Sequence, residues 1–260
     1  VTKRLSTTAA ATSAYLAQWQ VLTNWWGQIP EESWDEPSAV NGWRVGDLVA
    51  HFGLVADSSV AAAGAVTREP ALAISDYVSS YAEVADGIDA RTREVGSDRS
   101  TTLAVVAELA MKADECLVSA VSGDPVVAAR RGPIRWSDFL ATRCIELAVH
   151  SDDLRRSLSG ASPATDPSCE KLAVRALAAV LEQRAPGRSV EVRIPPYAAI
   201  QCVAGPRHTR GTPAAVIEMT PTVFLQIAAG RVPWAEAVRE GDVRASGERT
   251  DLGSLLPLLS

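Results

Sequence analysis

The chain holds three histidines, His51, His150 and His208, and the first two sit where helices can offer them to a cation. Glu146 and His150 are four residues apart. At about 100° per residue on a helix they are offset by only about 40°, so both project from one face, one turn apart. His51 follows Asp47 by the same step, on an earlier helical stretch. If those two helices are neighbours, His51, Glu146 and His150 converge as a two-histidine, one-carboxylate set, and helical bundles build metal sites from facing helices in this way. Three protein ligands leave a fourth position open, as catalytic zinc sites do. The spacing alone fits a second arrangement equally well, in which Glu146 and His150 form an exposed pair beside Arg143 and Asp153 on a solvated stripe. His51, set among apolar residues, equally fits an interior histidine satisfied by its neighbours. Asp47 and Asp153, one turn from each histidine, are placed to hold or orient them as outer partners.

The elements that must carry these residues show in the hydrophobic period. Tyr15, Leu16, Trp19, Leu22, Trp25 and Trp26 recur at steps of three and four within 8–26, which predicts a helix with one buried stripe. Val45, Leu48, Val49, Phe52 and Val55 predict a second, stopped by Gly64 and Pro70. Ile74, Val78, Tyr81, Val84 and Ile88 predict a third over 72–95, and Leu103, Val106, Leu109 and Leu117 a fourth. After loops at 123–125 and 132–133, Trp136, Leu140, Leu147, Leu154 and Leu158 predict a long fifth helix. Residues 1–160 thus read as an all-helical, up-down bundle. The small-residue and proline stretch at 160–167 reads as a linker. Residues 168–260 then read as a small α+β domain: a helix over 169–184, strands at 190–194, 198–203 and 215–219, two short helices at 222–229 and 233–240, and a last strand at 243–245.

Composition narrows the chemistry. The chain has 260 residues, is 47% apolar and 22% charged, and carries a net charge of −6. That is a globular composition, and it lacks the basic excess of a nucleic-acid binder. Lysine occurs only at Lys3, Lys112 and Lys171, so positive charge is nearly all arginine; this fits either genomic base composition or an arginine-lined anion site. Cys116, Cys144, Cys169 and Cys202 form no C-x-x-C pair, and all four are expected to be small core residues with reduced thiols. The opening residues 1–11 lack the apolar core of an export signal, and the longest apolar stretches are interrupted by Asp57, Gly64 and Arg175, short of a membrane span. A cytoplasmic, soluble protein is the expectation. There is no G-x-S-x-G, G-x-G-x-x-G, P-loop or H-E-x-x-H pattern.

Two segments resemble a known family. Asn41-Gly42-Trp43-Arg44-Val45-Gly46-Asp47-Leu48-Val49-Ala50-His51 is similar to the entry into the second helix of the mycothiol-dependent maleylpyruvate isomerase family. Arg143-Cys144-Ile145-Glu146-Leu147-Ala148-Val149-His150-Ser151-Asp152-Asp153-Leu154 is similar to that family's later R-x-x-E-x-x-x-H-x-x-D-L helix. The resemblance implies a DinB-like bundle with a divalent metal, usually zinc, on His51, Glu146 and His150, and mycothiol as thiol cosubstrate. The closing run 241–252 resembles the end of sterol-carrier-like domains. The fold implied is α+β: a DinB-like helical bundle followed by a small sterol-carrier-like α/β domain.

The resulting expectation is a metal-dependent transferase or isomerase that joins a small thiol to an electrophile, with Asp47 and Asp153 orienting ligands and Arg207 or Arg210, in a basic loop, fixing an anionic substrate. That loop equally fits an exposed turn. Trp43 is expected near the mouth of the site. Two other readings stand beside this one: a binding protein whose C-terminal domain holds an apolar ligand while the metal site is idle, and an interaction module with a remnant site.

Overall fold

The computed structural model describes residues 5–81, 85–96, 98–119, 123–160, 162–205 and 215–259. Helix α1 (Thr8–Trp25) starts where the Thr7 hydroxyl accepts the Ala10 N–H at 3.2 Å, satisfying one of the free donors of a helix start. Helix α2 (Val45–Ala63) turns Val45, Leu48, Val49, Phe52 and Val55 inward and packs against both α5 (Arg99–Ser119) and α6 (Trp136–Ser157). By length and composition α2 is apolar enough to cross a membrane, yet 72% of that stretch is buried inside the protein. It is the core helix of the bundle, and it carries His51.

Aromatic residues fill the space around α2. Phe52 meets Trp19 and Trp26 edge-on at 6.4 and 5.3 Å between ring centres, a geometry favoured by the ring quadrupoles. Trp34 lies over the first turn of α2, where a Cβ on Gly46 would stand 2.5 Å from its Nε1. Alanine normally stabilises a helix over glycine by about 1 kcal/mol, but here the added methyl has no room. Gly46→Ala is therefore expected to destabilise the chain, by about 1–3 kcal/mol from overpacking, read as a lower urea midpoint.

Two expectations are corrected in this region. The bundle is not all-helical: β1 (Val66–Thr67), β2 (Val126–Ala129) and β3 (Gly132–Arg135) form an antiparallel sheet in that order. Its buried residues are Val127 and Ile134, and strands this short show no period to read. The stretch expected as one helix over 72–95 is α3 (Ile74–Ser79) and α4 (Ala85–Val95). The hydroxyls of Ser79 and Ser80 donate back to the Ser75 and Tyr77 carbonyls, side-chain bonds that favour a helix end. Val84 lies outside the described residues.

Helix α7 (Pro167–Arg184) is capped by Asp166, which accepts the Ser168 and Cys169 N–H groups. It lies against α6 and α1. Fully buried Gln18 of α1 ties the linker down, donating to Ser151 Oγ and the Ala164 carbonyl and accepting the Asp166 N–H. Then β4 (Val190–Ile194), β5 (Ala198–Cys202), β6 (Val216–Met219) and β7 (Val243–Ser246) form a sheet of order β5-β4-β6-β7, antiparallel except for the β4–β6 pair. Val190, Val192 and Ile194 alternate inward, as a period of two dictates. Helices α8 (Pro221–Ala228) and α9 (Trp234–Glu240) lie between β6 and β7 in the chain, and the turn joining them meets the end of α6.

Candidate metal centre

His51 comes from α2, and Glu146 and His150 come from successive turns of α6. Their ligand atoms lie within 4.8 Å of one another. Both Nε2 atoms stand 3.4 Å from one oxygen, Glu146 Oε2, and the imidazole centres are 4.6 Å apart. The exposed-pair alternative does not apply, because both histidines are only 7% exposed. Such a set can coordinate a divalent cation.

The two imidazoles differ in what lies behind them. His150 Nδ1 is 3.0 Å from Asp153 Oδ2; since an ionised carboxylate only accepts, Nδ1 carries a proton, and Nε2 is the nitrogen turned toward the cluster. His51 Nδ1 is buried without a hydrogen-bond partner. The two rings accordingly titrate in opposite directions. Burial lowers the His51 pKa below the usual histidine value, the Glu146 contact only partly opposing it. At His150 burial pulls the same way, but Asp153 and Glu146 outweigh it and the pKa is raised. Burial alone would raise Glu146; the two histidines and Arg143 instead hold it well below the carboxylate range.

Aromatic rings wall the cluster. Trp43, half-buried, has its ring centre 5.1 Å from that of His51 and 6.1 Å from that of His150, nearly parallel to the latter. Its indole N–H donates to Asp89 at 2.5 Å, linking α4 to the site.

A family model described as the mycothiol maleylpyruvate isomerase N-terminal domain matches residues 15–155, more than half of the chain. The chain belongs to the mycothiol maleylpyruvate isomerase family. A second model, described as a bacterial SCP ortholog, matches residues 167–258. Among solved structures, the crystal structure of the mycothiol-dependent maleylpyruvate isomerase aligns over 92% of each chain with a TM-score of 0.58 and 15% identity. A point mutant of that isomerase aligns with the same figures. At this identity the likeness is one of fold: a helix-rich region followed by a small β-containing domain. No curated protein sequence matches the chain.

On this family fold the remaining expected site residues separate. Asp153 lies behind His150, fully buried, and is gripped by both Nε and Nη2 of Arg231 at 2.9 Å each. Arg231 sits in the turn after α8, so the C-terminal region supplies a charge to the bundle's centre. Asp47 takes a different post from the one expected. It accepts the Arg44 backbone N–H at 2.9 Å and the Arg44 guanidinium at 2.9 and 3.2 Å. At the third position of α2 its carboxylate closes the helix start, which turns it away from His51. Arg207 and Arg210 lie outside the described residues, as does His208.

Sequence reasoning missed two arginines. Arg143, which the exposed-pair alternative put on a solvated stripe and to which no site role was given, is 5% exposed. It donates to the Tyr81 hydroxyl at 3.1 Å and to Thr142 Oγ1 at 3.2 Å, and lies 3.8 Å from Glu146. Burial pushes the Tyr81 pKa up to about 12, so that hydroxyl keeps its proton. Arg231 had no signal beyond being one arginine between two short helices, 78 residues from its partner.

Two cavities flank the cluster. One of about 260 Å³ is lined by His51, Glu146 and Arg143 together with the β2–β3 turn. The other, about 130 Å³, lies between His150, Tyr81, Arg231 and Leu259. A larger groove of about 600 Å³ between α7 and β5 shares no residue with the cluster. The candidate ligand atoms converge beside the smaller pair.

Proposed function

We propose that the chain is a metal-dependent enzyme that transfers a small thiol, mycothiol by family, to an electrophile, or uses that thiol to isomerise one. The observation that supports this most is the convergence of two histidine nitrogens on one buried carboxylate oxygen, 3.4 Å from each, beside a cavity large enough for a small molecule. In this reading His51, Glu146 and His150 hold a divalent ion, most readily zinc given two imidazoles and a carboxylate. The ion supplies a lowered thiol pKa, so that the thiolate nucleophile is present at neutral pH.

The chain's own residues do the rest. Asp153 holds the His150 Nδ1 proton and keeps Nε2 aimed inward. Arg231 keeps Asp153 ionised and in place. Trp43 and Phe52 shield the imidazoles from water with their rings. Tyr81, still protonated, and Arg143 carry hydrogen-bond donors along the walls of the two cavities. The reading divides the chain into a metal-binding bundle over 1–160 and a small domain over 168–260 that closes one side of the site. It also assigns the protein to the cytoplasm, in keeping with free thiols at Cys116, Cys144, Cys169 and Cys202.

The test is the zinc-loaded chain with mycothiol and 1-chloro-2,4-dinitrobenzene, in which the thiolate attacks the ring carbon and chloride leaves. A zinc-dependent rate that drops at least about a hundredfold in His150→Ala is expected, removal of a direct ligand exceeding the 10–100-fold typical of outer partners. Equal rates in the two proteins sink the reading.

A further inference from the structure

Thiol transfer at the metal leaves the electrophile open, and an assignment of its chemical class rests on that proposed function. The cavity of about 260 Å³ starts at His51 and Glu146 and is walled by apolar side chains, chiefly Leu54, Val55, Ile88 and Phe139. At about 30 Å³ per water it has room for about nine waters, which is the scale of a substituted benzene ring. Four arginines line it: Arg91, Arg130, Arg131 and Arg143. Arg91 is taken up by Asp57 at 3.3 Å, and Arg143 by Tyr81 and Glu146. Arg130 is exposed.

Arg131 is different. Its guanidinium lies 3.8 Å over the Tyr81 ring and 5.7 Å from that of Tyr77, and its Nε is buried without a hydrogen-bond partner. Among the described residues no carboxylate pairs with it. Stacking fixes the flat face of a guanidinium and leaves its N–H edge free. Arg131 as a whole is only partly buried and lines the cavity, so the accessible edge of its guanidinium is open to a ligand, and the acceptor that fits that edge is a carboxylate.

We infer that the electrophile is a monocarboxylate with a mainly apolar body, and that Arg131 is the specificity-determining residue that binds its carboxylate. A compact dicarboxylate fits the cavity poorly. With one group on Arg131, the second is left to Arg130, which is exposed to solvent, because Arg91 and Arg143 are already taken up, and it lies beside the carboxylates of Asp57 and Glu146, which line the same space.

Calorimetric titration of the full chain tests this with three probes: cinnamate, its neutral amide cinnamamide, and the compact dianion maleate. Each is run on metal-free and on zinc-loaded protein, so that a carboxylate bound by an ion at the histidines is told apart from one bound by Arg131. In the metal-free protein cinnamate is expected to bind at least about tenfold more tightly than either other probe, the lower end for a charged hydrogen bond. Arg131→Gln removes that preference and leaves cinnamamide binding unchanged, which also shows that the variant folds; Arg131→Lys restores part of it. Equal binding of cinnamate and cinnamamide, tighter binding of maleate, or an unaltered cinnamate affinity in Arg131→Gln overturns the inference. None of these arms needs thiol or turnover. A chain without thiol transfer but with Arg131-dependent cinnamate binding therefore defeats the proposed function alone, and an active enzyme without that binding defeats only the inference.

Discussion

Replacing Glu146 by glutamine is expected to lower the zinc content of the purified chain from about one ion per molecule to less than about a tenth, and to remove zinc's protection against heat. Glu146 is the sole anion in the candidate set, and its Oε2 is the atom on which both imidazoles converge. Without it a dication faces two neutral nitrogens in a buried site, where an uncompensated charge is very costly. An ion present at a thousand times its Kd stabilises the native chain by about 4 kcal/mol. For a chain of this size that is about 8–16 °C in melting temperature, at about 2–4 °C per kcal/mol. Wild type should gain such a shift on adding zinc and the variant almost none. Glutamine is the right substitution because it keeps the side chain's shape beside buried Arg143, 3.8 Å away, whereas alanine opens a void there as well. Stoichiometric zinc in Glu146→Gln, measured by elemental mass spectrometry, overturns the ligand assignment.

That centre was legible in the sequence because its geometry is local. Glu146 and His150 need only a helix to share a face, and the period of α6 is strong enough to show one. His51 needed more, since neighbourhood of α2 and α6 is a tertiary fact; the motif resemblance, not spacing, carried it. Trp43 was expected near the mouth and stands against both imidazoles. The strands of the C-terminal sheet were readable for the same local reason, alternation of Val190, Val192 and Ile194.

What escaped was set by partners far away in the chain. Asp47 and Asp153 look alike in sequence, each one turn from a histidine, yet one caps its own helix and the other braces the imidazole. The difference is position within the helix: at the third residue of α2 a carboxylate can reach the free N–H at the helix start, and in the last turns of α6 there is none to reach. In the exposed-pair alternative Arg143 shared a solvated stripe with Asp153, but Tyr81 from another segment covers it. Cys116 also departs from the expected core placement, being only partly buried, while Cys144, Cys169 and Cys202 are buried. The α7–β5 groove has a mixed lining, with Arg175, Glu182, Arg188 and Gln201 beside Leu5, Tyr197, Ile200 and several alanines.

Arg231 is where this long-range dependence becomes measurable. Its substitution by methionine is expected to weaken zinc binding about 10–100-fold, the usual loss when an outer partner of a metal ligand is removed, because Arg231 reaches the His150 imidazole through Asp153. It should also destabilise the chain by about 2 kcal/mol. Breaking a buried pair costs about 3–5 kcal/mol, reduced here because His150 and Arg156 still face Asp153. Acidification provides the sign. Burial would raise the Asp153 pKa, but His150 and Arg231 outweigh it and lower it to about 2, against about 3.9 unfolded. A depressed carboxylate stabilises fully above its unfolded pKa and loses that stabilisation as pH falls through the folded one. The urea stability gap between wild type and Arg231→Met should thus be widest near pH 6 and shrink steadily below pH ~4. In Asp153→Asn the arginine has no anion to hold, so adding Arg231→Met there should cost at least about 1 kcal/mol less than in wild type, the coupling expected of contacting residues. Additive losses, or a gap flat from pH 6 to pH ~3, mean that Arg231 merely packs and that the C-terminal region does not act on the metal centre through Asp153.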